Sequence, residues 1–148
     1  MQFDYRWVVV VVGVATLGIS GCQKHSTAHQ AEHPAEVVHI EGSELSHITL
    51  TEKAIQRIDL KTDQVREEQV SRSASPRKSV PYSALIYDPH GNTWVYTSPE
   101  PRTFVRHQVT VDYIEGDLAV LSDGPPTATV VASVGVAELY GTEFEVGH

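Results

Sequence analysis

Thiols are almost absent from this chain. One cysteine, Cys22, stands in 148 residues. A single thiol builds neither a disulfide framework nor a multi-thiolate metal site, so the fold rests on an apolar core. Basic residues are also few: 11 Lys and Arg face 19 Asp and Glu, for a net charge of −8. Nucleic-acid binding needs clustered cations, so a nucleic-acid partner is not expected. Simple electrostatic docking to anionic lipid is disfavoured for the same reason. No apolar run reaches the roughly twenty residues of a membrane-spanning helix. No heptad pattern is present, which leaves no coiled-coil hairpin. Gly116 and Gly124 are isolated turn glycines rather than a phosphate-cradling loop. Ser71, Ser73, Ser75 and Ser83 lack a nucleophile-elbow context. The chain reads as a non-enzyme, with no catalytic, cofactor-binding or metal residues assigned.

What is present begins at the N-terminus. Met1 to Arg6 carries one basic side chain, and Trp7 to Ile19 is about thirteen residues without charge. That is the pattern of a signal-peptide apolar region. Ile19-Ser20-Gly21-Cys22 follows, and it resembles the lipobox of bacterial lipoproteins. The resemblance implies cleavage before Cys22 and lipidation (palmitate among the acyl chains) at Cys22, which becomes a membrane anchor. Several acyl chains hold a protein to a bilayer where one is marginal. Removing residues 1–21 from the 148 leaves 127 residues, and since Asp4 and Arg6 cancel, the net charge stays at −8. That length suits one domain.

Residues 22–46 read as a flexible tether, because no helical or strand period is sustained. The ordered domain is expected over 47–148. Ile48-Thr49-Leu50 is a short strand. Thr51 is then an N-cap, Glu52 suits the helix dipole, and Leu50 with Ile55 forms a hydrophobic staple. A short helix is therefore expected over 52–57, and a strand over 58–63. Residues 66–79 are polar, a loop or an edge. Val80 to Tyr87 is extended, 88–92 turns, and Thr93 to Thr97 returns as the partner strand. Ser98 to Pro101 turns again. From Thr103 to Tyr113, Val105, His107, Val109, Val111 and Tyr113 share one face. Two more strands follow, over 118–121 and 127–134, and Ala137 to Tyr140 is a last helical turn closed by Gly141. The rhythm predicts a mainly β chain: a small antiparallel barrel or sandwich with one or two short helices.

Residues 48–60 and the later segments Val80-Pro81-Tyr82-Ser83-Ala84-Leu85-Ile86-Tyr87, Gly91 to Tyr96, Arg106 to Val111, Val130 to Gly135 and Glu138-Leu139-Tyr140-Gly141 carry a second resemblance. In order and spacing they are similar to the membrane-proximal domain of periplasmic adaptor proteins, the membrane fusion proteins of efflux systems. The family inserts a barrel, a lipoyl-like domain and a helical hairpin between the two pieces. Here about twenty residues, Asp59 to Ser79, join them. The resemblance implies a periplasm-facing lipoprotein that binds protein partners during transmembrane export. The implied partner is an inner-membrane transporter of the resistance–nodulation–division (RND) type, or its adaptor complex. The strand edges and the tail from Thr142 to His148 are the expected contact surfaces. Adaptor function points to the inner membrane, whereas Gln23 after the cysteine points to the outer, and both stay open.

The alternative reading is a metal-binding lipoprotein. His25, His29 and His33 are spaced by four, with His39 and His47 nearby, and that spacing on a helix suits copper, silver or zinc. A polar His-rich linker is the simpler account. His107 reads as a core or rim histidine, while Trp94, Tyr96 and Tyr82 read as core aromatics. Glu138, Glu143 and Glu145 read as a solvated acidic face.

Overall fold

A computed structural model describes residues 33–145. The signal segment, Cys22, His25, His29 and the last three residues of the expected tail lie outside the described residues. The strands are β1 (Ala35–His39), β2 (Ser46–Leu50), β3 (Lys61–Gln64), β4 (Arg66–Glu68), β5 (Arg77–Pro81), β6 (Ile86–Tyr87), β7 (Thr93–Glu100), β8 (Thr103–Glu115), β9 (Leu118–Asp123) and β10 (Val130–Val134). Two short helices, α1 (Glu52–Arg57) and α2 (Val136–Glu143), complete the fold. It is mainly antiparallel β, as the strand rhythm predicts. No described helix is long and apolar enough to cross a membrane.

The main strand order is β3-β10-β7-β8-β9-β5-β4. Its two ends, β3 and β4, are consecutive in the chain and separated only by Val65. That residue is buried, accepts from the Ala128 N–H and donates to the Thr129 carbonyl. The continuous stretch 61–68 thus pairs with β10 at one end and β5 at the other, and the sheet curls round on itself. Inside the curl lie Val65, Val80, Val95, Val109, Leu121 and Val131. They come from successive strands around the curl and form a common apolar core. Strand β8 makes the bend. Its first half pairs with β7, its second half with β9, and its register shifts at Thr110 to Tyr113. Bulges of this kind let one strand serve two directions.

A second core lies on the other face of the same strands. Tyr96 and Ala132, the neighbours of Val95 and Val131, pack with Ile48, Phe104, Val136 and Leu139. Successive strand residues point to opposite faces, so β7 and β10 are covered on both sides. The outer cover comes from the β1–β2 hairpin and the two helices.

The hairpin corrects the expected tether. Strand β1 falls inside 22–46 and pairs along its length with β2. It shows no hydrophobic period because it is an edge strand, largely exposed on both faces. Helix α1 occupies the expected residues. Thr51 caps it, its hydroxyl accepting from the Ala54 N–H at 3.2 Å. The strand expected at 58–63 begins three residues later, at Lys61. Ile58 is the C-cap of α1 and Asp59 takes the left-handed φ of 48°. The Leu60 N–H then reaches back to the Ile55 carbonyl at 3.0 Å and the Asp59 N–H to Gln56. These two bonds make a Schellman ending, and Ile55 and Leu60 both pack against the outer core.

Other boundaries also move. Residues 66–68 and 77–79 of the polar stretch join the sheet, and Tyr82–Ala84 is a 3-10 turn. Strand β7 runs on through Glu100, and α2 continues past Gly141 to Glu143. Gly135 admits the chain into α2 at φ 83°, where an added Cβ would sit 3.3–3.4 Å from Ile58 and Leu60. Removing the cap of α1 isolates one of these local devices. Thr51→Ala is expected to lower unfolding free energy by about 1 kcal/mol in urea titration; an unchanged midpoint contradicts that role.

Candidate functional site

The densest polar chemistry is buried beneath α2. Tyr96 on β7 and Arg106 on β8 are directly opposite each other, so their side chains share the outer-core face. Tyr96 is 0% exposed and Arg106 5%. Glu143, in the last turn of α2, reaches down between them. The Tyr96 hydroxyl donates to Glu143 Oε2 at 2.6 Å, and Arg106 Nε donates to the same oxygen at 2.7 Å. Arg106 Nη2 also donates to the Glu44 carbonyl, in the β1–β2 turn, at 3.2 Å. The guanidinium lies over two rings, 4.6 Å from the Trp94 centroid and 4.9 Å from that of Phe144. Cation–π contact gains strength where water is excluded. Glu143 Oε1 is buried and has no hydrogen-bond partner among the described residues.

Burial, and then the bond to the Glu143 carboxylate, push the Tyr96 phenol far above its ordinary range. It therefore stays protonated and fixes the donor direction. Trp94 is anchored in turn by Asp88, whose Oδ2 accepts from the indole Nε1 at 3.0 Å. Partial desolvation raises the Asp88 carboxyl. Hydrogen bonds from the Asn92 side chain, Trp94 and the backbone N–H groups of Asn92 and His90 outweigh it and hold it well below the usual carboxylate range. The turn at 88–92 thus orients Trp94, Trp94 covers Arg106, and Arg106 holds both α2 and the first hairpin. The geometry makes this cluster a clamp tying the chain's C-terminal helix and N-terminal hairpin to the central sheet.

Outside the clamp, a groove of about 680 Å³ opens between the core-facing side of β1 and the helices. Leu50, Ala54, Ile58 and Ala137 form its apolar wall, with Arg57, Glu138 and Glu145 around them.

The expected site residues fare unevenly. Cys22 lies outside the described residues. His39 sits opposite Ser46, with Nδ1 3.5 Å from its hydroxyl, and His47 pairs with Val38. No cluster of three or more His, Cys, Asp or Glu is gathered among the described residues. His107 is exposed, not in a core. The first half of β8 buries Phe104 and Arg106, and only from Val109 does the odd-numbered face turn inward. Tyr96 is in the core as expected, Trp94 is half-buried, and Tyr82 is exposed on its 3-10 turn. Glu143 belongs to no solvated face, unlike Glu138 and Glu145. The missed signal was spacing, since Val136, Leu139 and Glu143 recur at three and four on one side of α2.

Glu143→Ala is expected to cost about 3–5 kcal/mol of stability, because it strands the buried Arg106 charge. Arg106→Met combined with Glu143→Leu should recover most of that loss; a single-variant cost below about 1 kcal/mol would refute the clamp. For Asp88 the sign follows from its depressed folded-state pKa. Its stabilisation is complete well above the ordinary value of 3.8 and fades as pH falls below it. The gap in thermal midpoint between wild type and Asp88→Asn should therefore narrow on acidification from about pH 6 to pH 2, and a constant gap counts against the assignment.

No protein-family model matches the chain, and no curated protein matches it.

Proposed function

We propose that this chain is a lipid-anchored, periplasm-facing accessory domain that works by binding proteins of a membrane export system. Its partner in this reading is an RND-type inner-membrane transporter or the adaptor complex attached to it. The anchor is Cys22, after a signal segment over 1–21.

The observation that carries the reading is the closure of two sequence-distant pieces into one body. Ile48 and Thr49 on β2, in the first piece, pair with Phe104 and Thr103 on β8, the strand that carries Arg106 to Val111 of the second. These are the two pieces on which the adaptor resemblance rests. A membrane-proximal adaptor domain also requires its N- and C-terminal pieces to be sheet neighbours. The stretch that joins them here, 59–79, supplies β3, β4 and the entry to β5 instead of a hairpin extension. The buried clamp fits the same reading. It fixes both ends of the domain to one sheet, as a rigid docking body needs.

The test is fractionation and capture. Tagged protein expressed with its signal segment should enter the membrane fraction, and Cys22→Ser should release it to the soluble periplasmic fraction. Detergent extracts of the wild type should co-purify an RND-type exporter or its adaptor. Identical fractionation of both forms contradicts the anchor, and capture of no exporter component contradicts the partner.

A further inference from the structure

We infer that the outer edge of β1 is a docking edge for an extended segment of a partner protein, apolar on its core-facing side and basic on its outer side. Hydrogen bonding defines the edge. The Ile40 N–H donates to Leu45 and the Thr51 N–H to Pro34, and the β1–β2 register is unbroken. Inward-bonding pairs alternate along an antiparallel ladder. Glu36 and Val38 therefore spend their N–H and C=O groups on β2, while Ala35, Val37 and His39 turn theirs outward. Among the described residues β1 pairs with β2 alone. Val37 is 38% exposed and Val38 51%.

Proteins usually protect such an edge with Lys, Pro or a bulge. Strand β1 has none of the three. The other outer strands carry a cation or are shorter: β3 has Lys61, β4 has Arg66 and only three residues, and β6 has only two residues. A row of outward backbone groups is satisfied by another strand, which is how sheet edges take peptides. Ala35 and Val37 lie opposite the buried Leu50 and Ile48, so the added strand's alternate side chains would face the 680 Å³ groove and its apolar wall. Glu36 is the charge on the outer face, and with a net charge of −8 it favours basic residues on that side of the occupant, while at the groove Arg57 stands beside Glu138 and Glu145. The same charge on a second copy disfavours self-pairing.

This inference stands apart from the exporter reading. Failure to bind peptide leaves that reading untouched, and failure to capture an exporter leaves the edge untouched. The probe is an alternating Lys–Val heptapeptide titrated into the full chain, followed by amide hydrogen exchange and sedimentation. The peptide should bind and slow exchange at Val37 and His39, and its Glu–Val counterpart should bind at least about tenfold more weakly. Val37→Pro removes an outward N–H without touching the β1–β2 ladder, so it should weaken binding at least about tenfold with little change in urea midpoint. Should that variant fold poorly, Val37→Lys serves, with the same expected loss. Absence of binding, or binding unaffected by either variant, overturns the inference. So does protection of Val37 and His39 before peptide is added, which means the chain covers its own edge. A dimer abolished by Val37→Pro assigns the edge to a second copy and overturns it equally.

Discussion

Val95 and Tyr96 are adjacent in β7, and neither is exposed to solvent. Side chains of neighbouring strand residues leave in opposite directions, so full burial of both requires cover on each face of the sheet. The same holds for Val131 and Ala132 in β10. The inner face is covered by the curl of the sheet itself. The outer face is covered by the hairpin that opens the described residues and the helix that closes them. Each cover is too small to bury its apolar side alone. An eight-residue helix is below the length at which helices are stable in water, and an isolated two-stranded hairpin is marginal. The central strands need the terminal elements for burial, and the terminal elements need the central strands to exist.

That dependence explains why the polar clamp sits where it does. A curled sheet with a small outer layer has little apolar area with which to hold α2. Glu143 adds a bond to β7, another to β8 and, through Arg106, a tie to the hairpin turn. Removing water from these groups is expensive, and their mutual bonds offset the cost only because each donor is aimed. Such a cluster contributes orientation more than net stability. It sets the position of α2, and through α2 the wall of the groove beside β1.

The sequence foretold these features to different degrees, for physical reasons. Helix α1 was legible to the residue because its signals are local: Thr51 as cap, Glu52 in the first turn, Leu50 and Ile55 bracketing it. The antiparallel barrel-like class was legible from evenly spaced turn clusters. The burial pattern of β8 was not. A single alternation assumes one buried face, whereas this strand faces the outer core at Phe104 and the inner core at Val109. Strand β1 was hidden because both its faces are largely exposed, so it carries no period and its polar residues resemble a linker. Glu143 was misread because charge outweighed position, although its spacing from Leu139 placed it on the buried side. The Schellman ending at Asp59 has no glycine to announce it, and it delayed β3 by three residues.

The stretch from β1 through β4 and the stretch from β5 to α2 fold as one cooperative body. Native-state hydrogen exchange under increasing denaturant tests it most directly. Ile48, whose N–H points to β8, and Tyr96 at the sheet centre should exchange through the same opening, with a free energy equal to that of global unfolding. Exchange of Ile48 through a separate opening of much lower free energy, with Tyr96 still protected, would contradict it.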